Sequence, residues 1–210
     1  MKINTLLEKT TIIPVITLHD IKHAIPLAKA LFAGGISTLE ITLRTPIALE
    51  VITLLKKSMP ECTIGAGTVT EITQLHDIHS AQADFAVSPA LAIDLVQTAK
   101  TLDLPYLPGV FTPSEVLLAK RLGLSVLKFY PADAAGGIGM LKNFSSVFPT
   151  IQFCPTGGIH RENFKDYLRL PNVLSVGGSW LAPQELIQHE KWDTITHLAQ
   201  AASEEKISCQ

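Results

Sequence analysis

The heptapeptide Ser125-Val126-Leu127-Lys128-Phe129-Tyr130-Pro131 carries one lysine inside an otherwise apolar run. An ammonium taken out of water loses its hydration, so a lysine there either snorkels from a strand end or is held as an amine. The amine is a nucleophile, and its attack on a carbonyl carbon opens Schiff-base catalysis on keto substrates. In Thr38-Leu39-Glu40-Ile41-Thr42-Leu43-Arg44, polar and apolar residues alternate. Read as a strand, this puts Glu40 and Arg44 on one face and Leu39, Ile41 and Leu43 on the other. A carboxylate that moves protons, a guanidinium that holds an anion and an amine that attacks carbon form a working set for a keto acid. The plainer reading of Glu40 and Arg44 is a structural ion pair, although buried pairs are weak stabilisers.

Two glycine pairs suggest an anion at the other end of such a substrate. Pro155-Thr156-Gly157-Gly158-Ile159 and Val176-Gly177-Gly178-Ser179-Trp180 each follow an apolar run. Either pair alone is an ordinary turn. Together, at the last two strand ends of a barrel, Gly157, Gly158, Gly178 and the Ser179 hydroxyl make a phosphate site, because glycine lets backbone N–H groups close around oxygen atoms. A third small loop, Gly65-Ala66-Gly67-Thr68-Val69, can offer the Thr68 hydroxyl to a carboxylate.

The elements that must position these residues alternate along the whole chain. Strand-like runs cover Ile12 to Leu18, Thr38 to Leu43, Cys62 to Ala66, Phe85 to Val87, Tyr106 to Leu107, Val126 to Tyr130, Ile151 to Cys154 and Val173 to Val176. Helical periodicity lies between them, as in Ile21 to Ala33, Ile47 to Lys57, Ile72 to Ala81, Ile93 to Leu102, Pro113 to Leu122 and Asn163 to Leu170. Several of these helices end near glycine, at Gly34-Gly35 and Gly123, where a left-handed cap forms easily. The pattern predicts an α/β fold, a (β/α)8 TIM barrel in a single domain over residues 1–210, with active-site residues at the carboxyl ends of the strands. The competing open doubly wound sheet lacks its glycine-rich turn, since Thr17-Leu18-His19-Asp20 follows the first strand.

Composition narrows the partners. The chain has 210 residues, 47% hydrophobic and 17% charged, which suits strands covered on both faces. A formal net charge of −2 without basic blocks argues against nucleic acid and acidic membrane surfaces. No signal-like or membrane-spanning run is evident, and Cys62, Cys154 and Cys209 form neither an even set nor a metal-spaced cluster, so a cytoplasmic protein with reduced thiols is expected. Cys154, next to the Thr156 motif, reads as a small buried hydrophobe. His76 and His79 read as a helix surface, and His19, His23, His160, His189 and His197 as loop or surface residues; no metal is expected.

The motifs around these residues resemble the bacterial 2-dehydro-3-deoxy-6-phosphogluconate (KDPG) and 4-hydroxy-2-oxoglutarate (KHG) aldolases. The likeness rests on Leu39-Glu40-Ile41-Thr42-Leu43-Arg44-Thr45, Gly65 to Val69, Val87-Ser88-Pro89, Leu107-Pro108-Gly109-Val110, Lys128-Phe129-Tyr130-Pro131-Ala132, Phe153 to Ile159 and Gly177 to Trp180, and spans nearly the whole chain. It implies a class I lyase without cofactor or metal, acting on a keto-acid phosphate in the Entner-Doudoroff pathway, and a homotrimer. Lys128 would be the Schiff-base lysine and Glu40 the proton carrier. Arg44, Thr68 and Pro89 would hold the pyruvoyl portion, Tyr130 would lie near its methyl group, and Thr156 would meet substrate hydroxyls. Departures are Tyr130 in place of phenylalanine, Asp133 in place of glutamate and Ala90 in place of glycine.

Three other readings stand beside this one. An aldolase for the galactonate epimer would differ by one stereocentre of the substrate. A phosphosugar-binding barrel without catalysis would leave the lysine, carboxylate and arginine without purpose. A metal-dependent aldolase or a decarboxylase would need a carboxylate and histidine cluster, or an inward Asp-x-Lys pair where Val126 precedes Lys128.

Overall fold

The computed structural model describes residues 3–207, so Cys209 lies outside the described residues. Strands and helices follow in the order α1 (Ile3–Glu8), β1 (Ile12–Ile16), α2 (Ala24–Ala33), β2 (Thr38–Thr42), α3 (Ala48–Ser58), β3 (Thr63–Gly67), α4 (Ile72–Ser80), β4 (Phe85–Val87), α5 (Ile93–Thr101) and β5 (Tyr106–Leu107). The second half continues with β6 (Gly109–Val110), α6 (Pro113–Arg121), β7 (Val126–Phe129), α7 (Gly137–Val147), β8 (Gln152–Pro155), α8 (Phe164–Leu168), β9 (Val176–Gly178), α9 (Gln184–Gln188) and α10 (Trp192–Ile207). Among the described residues no helix is long and apolar enough to cross a membrane.

Among the described residues all strand pairing is parallel. Hydrogen bonding draws a curled six-stranded sheet, β5-β4-β3-β2-β1-β9, and a second sheet, β6-β7-β8. The α/β expectation holds at that level, and the hydrogen-bonded ladders form two sheets without closing into one ring. The division falls at Pro108, which has no N–H to give to a ladder. Tyr106 and Leu107 pair with β4, whereas Gly109 and Val110 pair with β7, and the Pro108 carbonyl accepts the Lys128 N–H at 2.9 Å. The strand expected at Val173 to Val176 starts at Val176 instead, and Val173 makes only an isolated bridge to Phe153.

Side-chain alternation sorts the core into two parts. Leu39, Ile41, Leu127, Phe129 and Phe153 face the helices, where Phe144 of α7 stacks on Phe153 at 5.5 Å and meets Phe129 edge-on at 5.9 Å. Such aromatic pairs contribute about 0.5–1.5 kcal/mol each beyond area burial. They hold β7 so that Lys128, one residue from Phe129, points the other way. The opposite faces carry a separate apolar cluster of Ile13, Phe85, Val87, Leu107, Val126 and Cys154, joined by Leu6 and Leu7 of α1.

Helix ends follow local chemistry. Thr112 caps α6 by accepting the Glu115 N–H, Glu115 accepts the Thr112 N–H in return, and Pro113 begins the helix. Gly35 and Gly123 take left-handed φ of 86° and 79° just past α2 and α6, as the sequence predicts. His23 departs from the expectation. It is buried in a short 3-10 turn, with Nε2 3.4 Å from Glu190 Oε1 and its ring 5.7 Å from Trp192.

Candidate active site

A pocket of about 440 Å³ opens where the strands end. It is lined by Lys128, Glu40, Arg44, Thr68, Pro89, Tyr130, Thr156, Gly157, Gly158, Gly178 and Ser179, so every residue expected to act in catalysis or substrate binding reaches the same cavity.

Lys128 is 6% exposed and Glu40 3%. Lys128 Nζ lies 3.7 Å from Glu40 Oε1 and 5.3 Å from the centroid of the Tyr130 ring. Glu40 stands on β2 opposite Val15 on one side and Gly65 on the other, while Lys128 stands between Gly109 and Cys154. Arg44 differs from the strand-face expectation: β2 ends at Thr42, and Arg44 reaches the pocket from the following turn as an exposed residue. The ion pair made by Glu40 is therefore with the amine.

Backbone hydrogen bonds fasten the loop after β7 to the loop after β8. Ala132 N–H donates to Thr156 O at 2.8 Å, Asp133 N–H to Gly157 O at 3.0 Å, and Thr156 N–H to Phe129 O at 2.9 Å. These bonds carry Thr156, Gly157 and Gly158 to the side of Tyr130. Gly157 and Gly158 have φ of 93° and 78°, and a Cβ on Gly158 would overlap Asp133, so neither position accepts another residue without strain. The glycine that ends β9 has a different reason. A Cβ on Gly178 would overlap the Trp180 ring, which packs on Phe164 at 5.8 Å.

Some lining residues were not read from the sequence. Val15 and Thr17 line the pocket, and strand alternation along β1 already places them on one face with Ile13. Thr17 Oγ1 is 2.8 Å from Thr42 Oγ1, and its carbonyl accepts the side-chain amide of Gln184. Gln184 belongs to α9, which carries no strong periodic signal. Cys154 has its thiol pushed up to about 11, chiefly by burial, which suits a packing residue. Among the described residues no three His, Cys, Asp or Glu side chains are grouped as a metal ion would require.

Residues 3–198 match the family described as KDPG and KHG aldolase. The chain belongs to the KDPG and KHG aldolase family. It is 46% identical over 191 residues to the 2-dehydro-3-deoxy-phosphogluconate aldolase of Pseudoalteromonas atlantica, covering 91% of this chain and 89% of the relative. The KHG/KDPG aldolase of Escherichia coli K12 is 43% identical over 200 residues, covering 95% and 94%. Among solved structures, the KDPG aldolase of Legionella pneumophila, with pyruvate captured at low pH as a covalent carbinolamine intermediate, superposes with a TM-score of 0.94 at 46% identity, over 96% of this chain and 98% of that one. In a KDPG and KHG aldolase a lysine amine beside a carboxylate in a pocket has a direct chemical meaning, because a carbinolamine is what an amine and a keto group form.

Proposed function

We propose that this chain is a Schiff-base aldolase that cleaves 2-dehydro-3-deoxy-6-phosphogluconate to pyruvate and glyceraldehyde 3-phosphate. The observation that carries the proposal is the buried pairing of Lys128 with Glu40 at 3.7 Å, inside a pocket whose other wall is built from Gly157, Gly158, Gly178 and Ser179. Arg44 and Thr68 bind the C1 carboxylate, with Pro89 closing that side. Lys128 Nζ adds to C2, giving a carbinolamine, and loss of water leaves an iminium that draws electrons from the C3–C4 bond. Glu40, directly or through one water, accepts the proton of the C4 hydroxyl as that bond breaks and C4 becomes the aldehyde of glyceraldehyde 3-phosphate. Glu40, directly or through the same water, returns a proton to C3 of the remaining enamine, and water hydrolyses the resulting imine to pyruvate and the free amine. Thr156 meets the hydroxyls of the departing chain, the glycine turns and Ser179 hold its phosphate, and the Tyr130 ring packs near the carbon that becomes the pyruvate methyl group.

The same steps apply to 4-hydroxy-2-oxoglutarate, which would give pyruvate and glyoxylate. We read the two sheets as one eight-stranded barrel of a single domain, supported by the bridges Phe153 to Val173 and Thr156 to Gly177 that link β8 to the segment of β9. A cytoplasmic homotrimer completes the reading. Its contact face is assigned to exposed apolar side chains on three successive units, Ile72, Ile93, Phe111, Leu117 and Leu118. The test is pyruvate release, coupled to lactate dehydrogenase, on the phosphorylated gluconate compound, its galactonate epimer and 4-hydroxy-2-oxoglutarate. The reading expects the gluconate compound to be preferred and Lys128→Met to abolish release from all three. Release by Lys128→Met at the unsubstituted rate would overturn it.

A further inference from the structure

The Gly65-Ala66-Gly67 segment of β3 places two glycines on the face that Glu40 shares, with Ala66 turned to the helices. Each glycine is covered by a side chain from a neighbouring strand. A Cβ on Gly65 would overlap the Phe85 ring from β4, and a Cβ on Gly67 would overlap Glu40 Oε1 from β2. The same Cβ would stand 2.9 Å from Glu40 Cδ and 3.2 Å from Cγ, so the end of the glutamate lies across the bare Cα of Gly67. Glu40 is in register with Gly65, and Gly67 with Thr42. The side chain therefore leans one pleat toward the pocket mouth, and Gly67 is the surface on which it rests.

A left-handed φ does not explain this glycine. Gly67 is absent from the positive-φ residues of the chain, unlike Gly157 and Gly158, so an L-residue meets no left-handed strain there. What a side chain would meet is the tip of the glutamate, which can swing aside more easily than a strand can move. The first atoms that an alanine methyl would displace are therefore those of the carboxylate.

We propose that Gly67 is a positioning residue for catalysis: its missing side chain sets where the Glu40 carboxylate stands relative to Lys128 Nζ. The proposal rests on the reading of Glu40 as the proton carrier. It adds that the 3.7 Å separation depends on a clearance in the next strand, not on the strand carrying either charged group. Misplacing a catalytic group by about 1 Å costs roughly 10²-fold in rate.

The experiment compares Gly67→Ala, Glu40→Gln and the double variant by two readouts. Borohydride trapping of pyruvate reports amine addition, and exchange of the pyruvate methyl protons in D2O, followed by NMR, reports proton transfer at C3. Gly67→Ala is expected to trap pyruvate within a few-fold of the unsubstituted protein but to lose about 10²-fold in exchange rate. In the Glu40→Gln background, Gly67→Ala is expected to change exchange by less than about threefold, because the group it displaces is already gone. Unimpaired exchange in Gly67→Ala, or an equal loss in both backgrounds, overturns the proposal while leaving Glu40 in its role. Unimpaired exchange in Glu40→Gln alone removes the proton-carrier reading and the proposal with it. If Gly67→Ala does not fold, Gly67→Ala combined with Glu40→Ala should recover soluble protein, since the overlapping atoms are removed. Failure to recover it shows that Gly67 serves the strand and not the carboxylate, and overturns the proposal.

Discussion

Ser179→Ala probes the phosphate end of the pocket with least damage to the rest. The adjoining glycines are poorer probes. A side chain at Gly178 displaces the Trp180 ring, and one at Gly158 meets Asp133 at a φ of 78°. Ser179 is an exposed residue at the pocket wall, so its hydroxyl is lost without opening a cavity in the core. A hydrogen bond to a charged group contributes about 1.5–3 kcal/mol. At about 1.36 kcal/mol per factor of ten, this corresponds to roughly 10- to 150-fold in kcat/KM. Water reaches this position and can replace part of the bond, so the lower end, about tenfold, is expected. The assay is kcat/KM for pyruvate release from the phosphorylated gluconate compound and from 4-hydroxy-2-oxoglutarate, which carries a carboxylate and no phosphate. The loss should fall on the first substrate, with the second changed less than about twofold. Equal losses on both, or no loss on either, would mean that the loop after β9 is a structural turn and that the phosphate is held elsewhere.

Three further outcomes follow from burial and from exposure. Burial pushes the Cys62 and Cys154 thiols from an ordinary 9.0 up to about 11, so at pH 8 only about one in a thousand would be thiolate. Both should resist alkylation in the folded protein, read by peptide mass spectrometry, and rapid labelling of Cys154 at pH 8 would contradict its placement. Because the raised values favour the protonated thiols of the folded state, their contribution to stability is complete below about pH 9 and is lost as pH rises toward 11. The urea midpoint should decline across that window. On the surface, Phe111→Asp and Leu117→Asp should convert a trimer to monomers in light scattering, and a trimer surviving both substitutions would move the contact face elsewhere.

The site was legible because strand alternation is a strong constraint. Once Leu127 and Phe129 are assigned to the helices, Lys128 has only the interior left, and Leu39 and Ile41 place Glu40 in the same way. Less was visible where local propensity runs against the final structure. α7 is preceded by Gly136 and begins at Gly137, both at positive φ, and contains Gly139, a poor helical signature that is rescued by the packing of Phe144 on Phe129 and Phe153. Gly109 and Val110 lie outside the strand expected at Tyr106 to Leu107 and pair in the second sheet, because the intervening Pro108 can accept from one neighbour but donate to none. His23 looked like a polar surface residue, yet Trp192 lies far along the chain and supplies the ring that covers it. The glycines were recognised as permissive turns, but what each makes room for, Glu40 at Gly67 and Trp180 at Gly178, is a contact between distant segments that no local pattern encodes.

The most direct test of the account is to capture the bond it assigns to Lys128. Incubating the protein with pyruvate and sodium borohydride, then digesting it for mass spectrometry, should show one reduced pyruvate adduct, on the peptide carrying Lys128. Lys128→Met should take up none, and EDTA should leave the labelling unchanged. An adduct confined to a different lysine, or an unmodified Lys128 in protein that still releases pyruvate from substrate in the presence of borohydride, would contradict the Schiff-base mechanism.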